Sequence, residues 1–186
     1  MINSLTTVAE DSKLVQQCIA GSRDAQYMLY KNYNKAMYNL CLRIVGDQSD
    51  AEDVLQVAFV QVFTKIKEYR FESTLGAWIK RIVVNNCINH LRKNSLHFES
   101  IGDNDVAVVD DEPVSFNVQT IKLAINQLPE GYRTIFCLYI LEGYDHCEIA
   151  QILGITESTS KSQYSRAKAK LCQILRENGS INLIYQ

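Results

Sequence analysis

No apolar run in the 186 residues is long enough to span a bilayer, and the start, Met1-Ile-Asn-Ser, lacks the basic-then-apolar pattern of an export signal. The sequence therefore predicts a cytoplasmic protein. None of the six cysteines (Cys18, Cys41, Cys87, Cys137, Cys147 and Cys172) falls in a Cys-x-x-Cys pair, so reduced, partly buried thiols are expected. His146-Cys147 has no second ligand pair with which to build a metal site. There is no glycine-rich phosphate loop and no pair of carboxylates in a pocket-like context. These absences predict a chain that is not an enzyme, uses no cofactor or metal and takes no small-molecule substrate. There is no internal repeat, and a formal net charge of -2 argues against coating nucleic acid by bulk charge.

What the chain does have is segregated charge. Lys65, Lys67, Arg70, Lys80, Arg81, Arg92 and Lys93 crowd one stretch against only Glu68 and Glu72. Lys161, Arg166, Lys168, Lys170 and Arg176 follow one another later with no acid among them. Between the two lies a run with acids but no cation: Glu99, Asp103, Asp105, Asp110, Asp111 and Glu112. Two basic modules flank an acidic connector, and for DNA binding it is the placement of charge that counts.

Apolar residues make up 47% of the chain, enough for real cores, and they recur at helical rather than alternating spacing. A short helix before Gly21 would bury Leu14, Val15, Cys18 and Ile19. A longer one, about Asp24 to Val45, would end at Gly46. Ser49-Asp-Ala-Glu52 reads as a capping box opening a third helix to about Lys67, with Val54, Leu55, Ala58, Phe59, Val62, Phe63 and Ile66 on its core face. On the opposite side Asp53, Gln56, Val57 and Val60 align, which is either a wide core stripe or a partner-binding face. The loop Tyr69 to Thr74 sets two aromatics beside cations; exposed they would stack on unpaired bases, buried they would anchor the loop. A fourth helix, about Leu75 to Lys93, carries Arg81, Asn85, Asn89 and Arg92 in register, groups suited to bases and phosphates. Trp78 reads as a cap on the core at the edge of that stripe. Residues 94 to 117 show no sustained helical pattern and read as a linker. Helical pattern returns over 118 to 128, breaks at Leu128-Pro-Glu, and resumes from about Gly131 to Leu141.

The last stretch is the most informative. Asp145 with Glu148 forms a capping box, Ile149, Ala150, Ile152 and Leu153 give an apolar side, and Gly154 stands where a helix end needs a left-handed residue. Thr156 then caps a second helix, with Glu157 at its positive end. Ser160, Tyr164, Ala167 and Leu171 share one face of it. Thr159, Ser162, Gln163, Arg166 and Lys170 share another, with Lys161 and Lys168 beside them. Hydroxyls, an amide and cations on one face suit a major groove, so the pair reads as a helix-turn-helix. An ordinary surface hairpin with a solvated basic face is the bland alternative.

Taken in order, Asp50-Ala-Glu-Asp-Val-Leu-Gln-Val-Ala-Phe-Val, Gly76-Ala-Trp-Ile-Lys-Arg-Ile-Val-Val-Asn, Leu128-Pro-Glu, Glu148-Ile-Ala-Gln-Ile-Leu-Gly-Ile and Lys161-Ser-Gln-Tyr-Ser-Arg-Ala resemble the extracytoplasmic-function (ECF) group of bacterial sigma-70 sigma factors over roughly residues 10 to 176. The resemblance implies an all-α chain: region 2 over 1–95, a flexible acidic linker over 96–117, region 4 over 118–178 and a tail over 179–186. It implies that Glu52, Asp53, Gln56, Val57 and Val60 dock on the clamp helices of the polymerase beta-prime subunit. Tyr69, Phe71, Ser73, Lys80, Arg81, Asn85, Asn89 and Arg92 would capture and melt the −10 element. Ser158, Thr159, Lys161, Ser162, Gln163, Arg166 and Lys170 would read the −35 duplex, with region 4 riding on the beta flap. The linker would thread a polymerase channel, and an anti-sigma factor would be a further partner. Ser160 stands where the family usually has a branched apolar residue, which suggests looser packing of the recognition helix. An autonomous helix-turn-helix regulator is the alternative, but it leaves the Asp53–Val60 face and the Arg81–Arg92 stripe unexplained.

Overall fold

The structure is a computed structural model that describes residues 2–93 and 118–178, with side chains from Asp11 onward. The chain divides after Lys93 into two compact units. Every regular element among the described residues is helical. The expected linker and C-terminal tail lie outside the described residues.

The first unit holds α1 (Ile2–Ile19), α2 (Arg23–Val45), α3 (Gln48–Lys65) and α4 (Leu75–Lys93), with a short 3-10 turn at Ile66–Glu68. The first helix is longer than its sequence pattern suggests. Val15 and Cys18 are buried while Leu14 is only half-buried and Ile19 is exposed, so its apolar stripe is narrower than expected. Helix α2 starts on Ser22, whose hydroxyl accepts the Ala25 N–H, and stops at Gly46 (φ 87°), which donates to Leu42 O.

The start of α3 differs from the sequence expectation. Asp47, not Ser49, is the cap: its carboxylate accepts the Asp50 N–H at 3.0 Å, and Ser49 lies inside the first turn. The left-handed Gly46 brings the chain round so quickly that the earlier acid already stands at the helix mouth. Helices α2, α3 and α4 pack on one another, and α1 packs on α2. Leu29, Leu40, Ile44, Val62, Leu75, Ile79 and Ile88 fill the middle with less than 2% exposure. Gly76 in α4 sits where an added Cβ would lie 3.1 Å from the Tyr33 ring, close enough that the ring would have to shift by a few tenths of an ångström to admit it.

The second unit holds α5 (Val118–Asn126), α6 (Glu130–Phe136), α7 (His146–Leu153) and α8 (Glu157–Glu177). Pro129 separates α5 from α6, and the Arg133 guanidinium, from the next turn, donates to Asn126 O and Leu128 O. The sequence predicts one helix to Leu141. Instead α6 gives way to a π-helical turn, Cys137–Leu141, closed by Glu142 N–H on Cys137 O at 3.0 Å. The wider turn displaces the residues after it by part of a revolution, a feature hydrophobic spacing does not encode. Helix α8 packs against α5, α6 and α7, and Ala124, Ile135, Leu138, Ile149 and Ala167 form the centre of this core.

Candidate nucleic-acid and polymerase interfaces

The helix-turn-helix forms by the caps the sequence predicts. Asp145 accepts the Glu148 N–H at 2.8 Å while Glu148 accepts the Asp145 N–H at 2.9 Å, a complete capping box. Gly154 (φ 69°) ends α7, with its own N–H and that of Ile155 both on Ala150 O. Thr156 accepts the Thr159 N–H at 3.0 Å and opens α8. Only Ile155 therefore separates a left-handed stop from the next N-cap, which fixes α8 tightly against α7.

Along α8, Ser160, Ala167 and Leu171 are buried and Tyr164 is half-buried, as the face pattern requires. Gln163 departs from expectation. At 8% exposed it belongs with the buried side, because α8 packs against three helices and buries an arc wider than one stripe. Of the residues expected to face DNA, Ser158, Lys161 and Ser162 are exposed, as is Lys168 beside them, and Thr159, Arg166 and Lys170 are half-exposed. Lys161 pairs with Glu157 at 2.6 Å across one turn, and that hydrogen bond and charge raise its pKa. Ser162 donates to Thr159 O, the Thr159 and Thr156 hydroxyls lie 2.7 Å apart, and Lys170 donates to Gln173.

Ser160 does not loosen the packing. It has no exposure, and its hydroxyl lies 2.9 Å from His146 Nδ1 on the first turn of α7. The His146 ring in turn stacks on Tyr139 of the π turn, centroids 4.4 Å apart and planes 10° from parallel, and Tyr164 stands at 5.7 Å. A polar pair thus takes the place of an apolar contact at the heart of the motif. Sequence reasoning missed it; the signal was a histidine at the first position of α7 opposite a serine on the buried face of α8.

In the first unit, the two loop aromatics part company. Tyr69 is buried, its hydroxyl donates to Ser73 O at 2.6 Å, and its ring packs between Phe71 (4.5 Å) and Trp78 (5.4 Å). It is the anchor of the loop and cannot itself offer a free face to a base. Burial, then the nearby Asp11 carboxylate, push its phenol above the usual value. Phe71 is 47% exposed and holds a left-handed backbone, φ 60°, the only non-glycine to do so among the described residues. Thr74 accepts the Ala77 N–H and starts α4. On α4, Arg81, Asn85, Asn89 and Arg92 are all exposed along one side, and Lys80 is half-buried beside them.

On α3, Glu52, Asp53, Gln56, Val57 and Val60 are all exposed, Val57 at 53% and Val60 at 63%. That excludes the wide core stripe. A second polar pair escaped sequence reasoning: half-buried Gln61 of α3 and buried Asn86 of α4 exchange amide hydrogen bonds. Among the described residues no group of three or more His, Cys, Asp or Glu side chains could hold a metal, and no helix is long and apolar enough to cross a membrane.

Comparison with known proteins fits this division. Residues 29–96 match the family model for sigma-70 region 2, and residues 119–171 match that for sigma-70 region 4. The chain is 27% identical over 165 residues to the ECF RNA polymerase sigma factor SigM of Mycobacterium tuberculosis, covering 89% of this chain and 84% of that one. It is 29% identical over 180 residues to the ECF sigma factor SigW of Bacillus subtilis, covering 89% and 96%. In fold it is similar to a solved complex of the sigma factor RpoE with the anti-sigma factor NepR from Bartonella quintana, with a TM-score of 0.55 at 24% identity over 81% of this chain and 96% of that one. A complex of CnrH with the cytosolic domain of CnrY gives a TM-score of 0.53 at 19% identity over 89% and 96%. With both regions matched in order and relatives of this group aligned along nearly the whole chain, the protein belongs to the ECF group of the sigma-70 family of RNA polymerase sigma factors.

Proposed function

We propose how the work of an ECF sigma factor is distributed over this chain. As a member of that group it binds core RNA polymerase and directs promoter-specific initiation of transcription. In our reading residues 1–95 dock on the beta-prime clamp helices through Glu52, Asp53, Gln56, Val57 and Val60 of α3. The observation that carries this assignment is the solvent exposure of two valines beside an acid and an amide on a helix whose other side is core. An apolar patch rimmed by polar groups is a protein-binding surface in waiting.

Phe71 serves as the stacking surface for an unpaired base of the −10 element, held out by Tyr69, while Arg81, Asn85, Asn89, Arg92 and Lys80 bind bases and phosphates of the opened strand. Stacking suits single strands because every base has a face to offer. Residues 118–178 read the −35 duplex by setting α8 in the major groove, where Ser158, Lys161, Ser162 and Arg166 reach phosphates and base edges. Thr159 and Lys170 supply border contacts, and Gln163 supports the helix from beneath. The same unit rides on the beta flap, and residues 96–117 connect the two. The factor works in the cytoplasm, without catalytic activity of its own, and an anti-sigma factor is its regulatory partner, as in the RpoE–NepR and CnrH–CnrY complexes.

In vitro transcription with purified bacterial core polymerase, this protein and a fragmented genomic template tests the reading. Discrete transcripts that require both components are expected. Tight specific binding to duplex DNA without polymerase, with no transcripts, would instead point to an autonomous regulator.

A further inference from the structure

Helix α3 meets α4 across an interface whose buried side chains are otherwise apolar. Val54, Leu55, Ala58 and Val62 are buried on α3; Ile79, Val83 and Cys87 are buried on α4. Asn86 is the one polar side chain buried on α4. Gln61 Nε2 donates to Asn86 Oδ1 at 3.0 Å, Asn86 Nδ2 returns a bond to Gln61 Oε1 at 3.2 Å, and Asn86 Nδ2 also donates to Ile82 O at 2.8 Å. Both Asn86 amide hydrogens and its oxygen are engaged.

Such a pair is a poor way to maximise stability, since replacing both partners by apolar groups of similar shape can be nearly neutral or stabilising. What it provides is register. Apolar side chains tolerate a small slide or rotation, whereas a reciprocal amide pair loses both bonds at once, as a buried asparagine fixes register in a coiled coil. Its location gives register a use. Gln61 follows Val60 and lies one turn from Val57 on the proposed docking helix, while Asn86 lies beside Asn85 and one turn from Asn89 on the proposed reading helix.

We infer that Gln61 and Asn86 are positioning residues that lock the −10 reading stripe of α4 in one register on the polymerase-docked helix α3, so that docking on polymerase sets where the opened strand is captured. The inference rests on the assignment of those two faces proposed above.

The test is the double variant Gln61→Leu/Asn86→Leu in the full chain with core polymerase, read by thermal melting, core affinity and permanganate reactivity of the opened −10 thymines. The expected result is a melting temperature no lower than the parent's and unchanged core affinity, with open-complex formation reduced about fivefold or more. A stable variant that opens the promoter at the parental rate overturns the inference, and so does a loss of core affinity that accounts for the whole defect. Should the leucine pair fail to fold, Asn86→Asp, which keeps the shape but removes the donor to Gln61 and Ile82, is judged by the same two outcomes. Asn85→Ala separates the levels. If it leaves melting intact, the stripe itself is misassigned; if it impairs melting while the leucine pair does not, only the positioning role fails.

Discussion

His146→Ala should unfasten the helix-turn-helix without touching the surface of α8. In the folded chain the His146 ring holds the buried Ser160 hydroxyl at 2.9 Å and stacks on Tyr139 at 4.4 Å. Truncation leaves that hydroxyl without its side-chain partner, a loss of about 1–1.5 kcal/mol. It also removes a stacked aromatic contact, about 0.5–1.5 kcal/mol. Part is recovered if Ser160 turns its hydrogen toward the preceding helical turn, so the net expected loss is about 2 kcal/mol. The loss falls on the second unit alone, so a single melting curve is the wrong instrument. Hydrogen exchange resolved by peptide is the right one. In the regime where exchange reports opening free energy, amides of α7 and the first half of α8 should exchange roughly 30-fold faster, and those of α3 and α4 at the parental rate. The paired change His146→Phe with Ser160→Val, which restores an apolar contact, should return most of the protection. Unchanged exchange in α7 and α8 for His146→Ala, or an equal rise in both units, would refute the reasoning.

Arg166→Ala should weaken initiation from promoters that depend on a −35 element about tenfold while sparing core affinity, whereas Asp53→Ala with Gln56→Ala should weaken core affinity, with initiation falling in step and returning at saturating protein; transcription and core-binding titrations on the same preparations check both. Phe71→Ala should leave the melting temperature near parental yet slow −10 opening about tenfold, the worth of one stacked base. Tyr69→Phe, which gives up the bond to Ser73 O, should cost about 1 kcal/mol of first-unit stability, measured by denaturant titration. Asp145→Ala, which breaks the capping box, should destabilise α7 by about 1 kcal/mol and weaken −35-dependent initiation more than −35-independent initiation. Because the Tyr69 phenol is raised by burial and by Asp11, its contribution is fully present below the unfolded tyrosine value of about 10 and is lost as pH climbs through the folded one. Ultraviolet titration should therefore show at least one tyrosine ionising late, together with loosening of the Tyr69–Thr74 loop.

The features legible in the sequence were those governed by local rules. Asp145 with Glu148, Gly154 and Thr156 each act within four residues, and all four stand where spacing places them. The exposed stripe of Arg81, Asn85, Asn89 and Arg92 was likewise legible, because periodicity alone says which side of a long helix faces out. The misses have a different physics. Asp47 displaced Ser49 as a cap because a left-handed glycine set the geometry just upstream. Gln163 and Tyr69 turned inward because three helices, or a neighbouring tryptophan, supplied partners that no single-helix pattern contains. The pairs His146–Ser160 and Gln61–Asn86 join residues 14 and 25 positions apart, and hydrophobic pattern treats each member as an isolated exception. The π turn at Cys137–Leu141 is a matter of one extra residue in a helical ring, beyond the resolution of periodicity.

The left-handed backbone of Phe71 has a consequence for how this protein could change over generations. A large side chain in that conformation costs about 1–2 kcal/mol that glycine would not incur. Phe71→Gly should therefore relax the free protein while erasing its exposed ring. Selection for heat resistance alone, in a laboratory or in a hot habitat, would push this position toward glycine. A phenylalanine that survived such selection would fit the role proposed for its exposed ring, stacking on an unpaired base, beside its contact with Tyr69.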